Sequence, residues 1–268
     1  MDRQFQSNMP RPSHAGCLAF IICAWHILDM LGYVPLWLDY IAYAYMAVAI
    51  LSALAIAYDI FGRGNRQMMP IMDYVWPITA LYLSLFGLWA YYDMGRPDSM
   101  KKEDMAHMHH MHMEHKKKSF WKSVFVSATH CGAGCEIGDF IGEWVIFLAM
   151  SGLLVAGSML YTEYVIDFIL AYLLGIMFQF MPIMQSRKTS VMDALRDAVK
   201  ADSLSLLAFE VGLFGWMAIF NLLIFKAGVI DPAMPVYWFM MQIGMLLGHF
   251  TSYPANWMLV KYGVKSGM

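Results

Sequence analysis

Long apolar runs separated by short polar breaks dominate the chain. Runs at 41–61, 71–92, 136–157, 164–184, 203–225 and 235–260 each hold roughly the 20 residues an α-helix needs to cross the hydrocarbon core. Another run, 15–31, follows a polar leader containing Pro10 and Pro12 and is a candidate first span. The long leader and the lack of a small-residue cleavage site argue against a secretory signal. Residues 120–134 read as a short helical or re-entrant piece. The pattern predicts an all-α fold, a polytopic membrane helix bundle of about seven spans (six to eight) with a short re-entrant or broken helix at 120–135. It divides the chain into an N-terminal segment with the candidate first span (1–40), a two-span helical hairpin (41–92), a Met/His-rich loop (93–118) and a core membrane bundle (119–268). Pro77 predicts a kink in the second run, and 187–200 reads as an amphipathic cytoplasmic helix carrying Arg187, Lys188, Arg196 and Lys200.

Composition agrees. Of 268 residues 60% are hydrophobic and 14% charged, with mean hydropathy +0.51, whereas soluble domains carry about 25% charged residues. The bilayer is the first partner implied, and a multi-pass place in the inner (plasma) membrane the expected localisation. A net charge of −2 without a basic, aromatic-interleaved patch excludes a nucleic-acid role. Four cysteines fit no extracellular disulfide framework.

Candidate chemistry concentrates in residues 129–144. On a helix, Cys131, Cys135, Asp139 and Glu143 recur at i,i+4 and wind as one stripe, with Gly134, Gly138 and Gly142 as a second stripe beside it. Small residues at that spacing let another helix approach closely in a membrane, so the thiols and carboxylates are expected to face a helix seam. Asp or Glu inside an apolar span costs roughly 2.5–3.5 kcal/mol on insertion scales and signals function. His130 adjoins the pair, giving His130, Cys131 and Cys135 as an expected intramembrane metal site. Paired CxxC would be a stronger signal than this CxxxC, and buried thiols also serve as packing.

A second metal signal lies in the loop, where His107, Met108, His109, His110, Met111, His112, Met113 and His115 interleave imidazole with thioether. Imidazole suits Cu, Zn and Ni, and thioether selects Cu(I), so the loop is expected to collect copper weakly and exchangeably. At the N-terminus, His14 with Cys17 and Cys23 with His26 are further pairs, but on one helix they face apart and cannot form a four-ligand site. Elsewhere Gln242, His249 and Asn256 recur every seventh residue on one face, and Glu210 shares a face with Asn221. With Asp139 and Glu143, they are the expected pathway or proton-exchanging groups, although a lone polar residue in a span is as often an interhelical hydrogen bond.

Lysine and arginine place 185–202 and the segment holding Lys261 and Lys265 on the cytoplasmic side. The Met/His loop is inside if 120–135 is re-entrant. If that piece crosses, the loop is outside and the 62–66 turn inside.

The segments ATHCGAGCEIGDFIGEW (128–144), VWPITALY (75–82), KADSLSLLAFEVGLFGWM (200–217), PVYWFMMQIGM (235–245) and TSYPANWMLVKYGVKSGM (251–268) together resemble a prokaryotic multi-pass membrane family, domain of unknown function 4396. Its core motif is HCGAGC-x-x-GD-x-x-GEW. The resemblance implies an all-helical membrane protein whose relatives are at times labelled copper-related, and supplies no reaction. Glu136 and Lys261-Tyr262 depart from the family pattern.

These observations point to copper transport or homeostasis, passive or proton-coupled because no nucleotide-binding loop is present. A metallochaperone or another membrane protein is a natural partner, and an oligomer is compatible with the sequence. The alternative is a membrane-embedded oxidoreductase. It would work by thiol/disulfide exchange at Cys131 and Cys135, by electron transfer at a bound metal, or by a haem held between His130 and His249.

Overall fold

The computed structural model describes residues 34–97, 119–149, 159–186, 190–225 and 230–265. The candidate first span at 15–31 and the loop residues His107 to His115 lie outside the described residues. Within the described residues six α-helices follow in order: α1 Leu36–Ala57, α2 Met72–Ala90, α3 Phe120–Ala149, α4 Met159–Ser186, α5 Val191–Ile219 and α6 Pro235–Lys261. Among the described residues there is no strand. One-turn π-helices at Tyr58–Gly62, Tyr91–Gly95 and Phe220–Ile224 finish α1, α2 and α5.

Local chemistry sets several boundaries. Ser190 caps α5 by accepting from the Asp193 N–H at 3.2 Å. Pro235 opens α6 at its first turn, where its missing N–H costs nothing. Gly263, at φ 70°, takes the left-handed conformation that follows a helix end and turns the chain back toward the bundle. α5 begins in the amphipathic stretch and runs unbroken into the apolar one, so 190–200 is the first part of a long helix and no separate element.

α2 differs most from expectation. Pro77 does not break it; Ser84 does, with φ 51° and ψ −127°. The two halves fold back on one another. In a straight helix Trp76 and Tyr91 would stand about 22 Å apart at 1.5 Å per residue, yet their rings are 5.7 Å apart. Gly95 packs directly on the Trp76 indole, and Gly87 lies against the Ala80 backbone. Residues 72–95 are therefore a helical hairpin with Ser84 at its tip.

Ion pairs close the hairpin's base. Buried Asp59 accepts from the Tyr91 hydroxyl (2.9 Å), Asn65 Nδ2 (3.0 Å) and Arg96 Nε (3.1 Å), with Arg63 at 3.6 Å. Arg66 pairs with Asp73 at 2.9 Å and Lys122 with Asp93 at 2.7 Å. This is the basic end of the molecule.

The re-entrant or broken helix expected at 120–135 is overturned. Phe120–Ala149 is one unbroken 30-residue helix, and the reversal lies at Ser84 instead. Among the described residues three helical stretches are long and apolar enough to cross a membrane: Leu36–Gly62, Tyr161–Gln185 and Val191–Ile224. α3 and α6, at 30 and 27 residues, match them in length, but buried polar side chains such as His130, Asp139 and Glu143 on α3 and His249 and Asn256 on α6 dilute their hydropathy. Exposed Leu36, Trp37, Ile50, Leu51 and Leu54 on α1 and Leu222 and Leu223 after α5 give the bundle an apolar exterior.

Candidate functional site

The glycine stripe of α3 meets α4 as the spacing predicts. A Cβ on Gly134 would come within 2.7 Å of the Gly175 Cα, one on Gly138 would collide with the Ala171 backbone, and Gly142 leaves room for the Asp167 carboxylate. That close approach brings α4's own acid to the stripe. Cys131, Cys135, Asp139 and Glu143 are all buried, and they face α5 and α6 as well as α4.

From the basic end inward, polar groups follow one another. Ser205 Oγ on α5 lies 2.8 Å from Asp202 Oδ1 and 3.4 Å from Cys131 Sγ. The hydroxyl can thus donate to the carboxylate while accepting from the thiol. Cys135 sits against Cys131, with Glu210 of α5 beside it. Asp139 is within electrostatic reach of Glu210, Asp167, Glu143 and Glu136. Glu143 lies against Asp167 and Tyr237, with Glu163 nearby. Both carboxylate oxygens of Asp139, both of Glu210, Asp167 Oδ1 and Glu136 Oε2 are buried without a hydrogen-bond partner. No Lys or Arg among the described residues pairs with any of them. The result is a thread of thiols and carboxylates through the bundle, weighted toward oxygen at the end away from Asp202.

The structure does not bring His130 to the thiols. Successive residues on a helix point about 100° apart, and the imidazole turns to α4, with Nε2 3.1 Å from the Phe178 carbonyl and Nδ1 3.4 Å from Met72 Sδ. Among the described residues no group of three or more His, Cys, Asp or Glu is disposed to hold a metal ion. His249 packs on Phe125, with ring centroids 4.9 Å apart, and its Nδ1 is 3.3 Å from the Tyr82 hydroxyl near the hairpin tip. The two imidazoles therefore have different neighbours, Phe178 and Met72 for His130 and Phe125 and Tyr82 for His249. Gln242 Oε1 and His249 Nε2 are buried without partners. Asn256 instead bridges two partners of its own. Its Nδ2 donates to the Ser252 carbonyl at 3.1 Å, and its Oδ1 accepts from Lys265 at 2.9 Å.

Asp167, Glu136, Ser205, Asp202 and Lys265 belong to the thread or its end, and the sequence patterns do not single them out as a set. Asp167 carries a signal, a lone acid within the apolar run 164–184. Asp202 and Lys265 lie 63 positions apart in the chain, and no local spacing links them.

A family described as a domain of unknown function, DUF4396, matches residues 120–265, more than half of the chain. The match begins at α3 and ends at Lys265, so it covers the whole thread and leaves out the hairpin. No curated protein and no solved structure matches the chain.

Proposed function

The chain belongs to the DUF4396 family, and from what its bundle encloses we propose a multi-pass membrane protein that moves a soft cation, copper(I) first, along the thread, with protons exchanged at its carboxylates. The observation that carries this reading is the burial of Asp139 and Glu210 with no base to pair them: both Asp139 oxygens lack a hydrogen-bond partner, and Glu210 has the weakly donating Cys135 thiol beside it. Acids at the centre of a span cost roughly 2.5–3.5 kcal/mol each to insert, and the described residues offer these two no base. Such a cost is offset by function and not by stability.

The thiols set the choice of cargo, because soft sulfur ligands select copper(I). With His130 turned away, Cys131 and Cys135 are the soft donors, flanked by Ser205 and Glu210. The carboxylates beyond them form a path on which a cation or proton can step between oxygen sites.

Topology follows from the hairpin. If α1, α3, α4, α5 and α6 cross while 72–95 enters and returns, then Arg63, Arg66, Arg96, Lys122, Arg196, Lys261 and Lys265 all lie at or near one end, which the positive-inside rule makes cytoplasmic. The stretch 98–118 then starts and finishes on that side. Its Met/His ligands would collect copper from the cytoplasm or from a metallochaperone, and the direction implied is export. Deleting 105–115 should lower flux when copper is scarce and leave it close to wild type at saturation.

One observation favours a second reading. Cys131 and Cys135 are both free thiols and touch, as a dithiol in a membrane oxidoreductase would. Copper(I) flux into proteoliposomes separates the two. Cys131→Ser and Cys135→Ser should each reduce flux at every copper concentration while leaving insertion intact. Unchanged flux rejects the transport site. Substrate-dependent conversion of the pair to a disulfide, read by thiol labelling and mass spectrometry, would establish the redox reading.

A further inference from the structure

At the basic end the thread stops at a lysine. The Lys265 and Asp202 side chains are 0% exposed, and Nζ donates to Asp202 Oδ1 at 2.5 Å, to Asn256 Oδ1 at 2.9 Å and to the Ser127 carbonyl at 3.4 Å. Three helices thus aim oxygens at one ammonium. The carboxylate offers more oxygen than the lysine uses, since Asp202 Oδ2 is buried and has no partner, and the hydroxyl of Ser127, whose carbonyl meets the lysine, is buried and unpartnered as well. One carboxylate with neutral carbonyl oxygens is a donor set for a hard cation; its single negative charge matches a monovalent ion, and carbonyl oxygens can replace the hydration shell of potassium. Potassium is close to an ammonium group in size and equal to it in charge. Lys265 itself belongs to no helix: it follows the left-handed turn at Gly263, where Gly263 N–H donates to the Val260 carbonyl at 3.2 Å and the Val264 and Lys265 N–H groups share the Leu259 carbonyl at 2.9 and 3.1 Å.

We propose that Asp202, Asn256 and Ser127 form a potassium-class cation site that Lys265 fills from within, so that a free cation and the lysine compete for the same oxygens. Through Ser205 the site adjoins Cys131, so its occupant controls access to the thread. That gating role rests on the transport reading, whereas the binding site does not. Withdrawal of Lys265 leaves Asp202 unpaired in the interior, and a cation of the same charge restores the balance.

Amine acylation of Lys265 in the full-length, detergent-solubilised protein tests the competition, read by mass spectrometry on the peptide that contains it. By mass action the open population rises with 1 + [K⁺]/Kd, so the labelling rate should increase about tenfold when potassium reaches ten times its dissociation constant. Choline chloride at matched ionic strength should leave the rate unchanged. A rate flat in both salts, or rising equally in both, overturns the site. Two variants approach it from the other side. Lys265→Met should be stabilised against heat by potassium over choline, and Lys265→Met with Asp202→Asn should lose that difference. If Lys265→Met does not fold, Gly263→Val disfavours the left-handed turn while keeping the charge, and it should raise basal Lys265 labelling severalfold; unchanged labelling counts against the plug. No arm reads copper flux. Failure of the copper reading therefore leaves a potassium-sensitive Lys265 standing, and a potassium-insensitive one removes the site without touching copper flux.

Discussion

Two groups of buried acids divide the molecule. Toward the basic end, Asp59, Asp73 and Asp202 are each matched with a cation, from Arg63 and Arg96, Arg66, and Lys265 respectively. In the bundle interior, Asp139, Asp167 and Glu210 between α3, α4 and α5 and Glu136 on the side of Tyr45 and Tyr82 are equally buried and have no base among the described residues. A buried acid with its base fastens elements together: Asp59 ties the end of α1 to the returning limb of the hairpin. A buried acid without one contributes nothing comparable to the fold. Burial alone does not mark a candidate working residue; burial without compensation does.

The largest stability effect should fall on the paired group. Breaking a buried ion pair costs about 3–5 kcal/mol, reduced where the partners keep solvent, as Arg63 and Arg96 do here at 58% and 36% exposure. Asp59→Ala should therefore destabilise by about 2–3 kcal/mol in unfolding titrations, and the hairpin's base should become the first region to exchange amide hydrogens. A smaller loss is expected at the contact between the hairpin tip and α6. Tyr82→Phe removes the hydroxyl facing His249 and should cost about 0.5–1.5 kcal/mol, the net worth of one hydrogen bond. The smallest belongs to the unpaired group. Asp139→Asn keeps the shape and removes only an uncompensated acid, so any loss of unfolding free energy should stay below the roughly 1 kcal/mol typical of point substitutions. A large destabilisation at Asp139 would erase the distinction between the groups.

The Cys131–Glu143 stripe and its glycine neighbours are legible in the sequence because one helix carries both at a four-residue spacing, and a single period decides which face is buried. The same reasoning locates Glu210 and His249 as interior groups. It fails where geometry is not periodic. Nothing in the apolar run around Ser84 marks a reversal, and Pro77, the nominal breaker, is accommodated within the helix. The segment 120–135 suggests a break because its Lys, Ser, Thr, His and glycines interrupt the hydropathy, yet the backbone ladder runs through them intact. Adjacency along the chain suggests His130 as a partner of the thiols, although adjacency on a helix separates side chains by about 100°. Lys265 reads as a surface charge, and it is buried because a partner 63 positions earlier awaits it.

Copper(I) flux through Asp139→Asn in proteoliposomes, at insertion matched to wild type and across pH, tests the division of the acids most directly. The carboxylate is expected to exchange protons as the cation passes, so the variant should lose at least about tenfold in flux, equivalent to about 1.4 kcal/mol of barrier, along with the wild-type pH dependence. Wild-type flux with a wild-type pH profile in a folded Asp139→Asn protein would contradict the account.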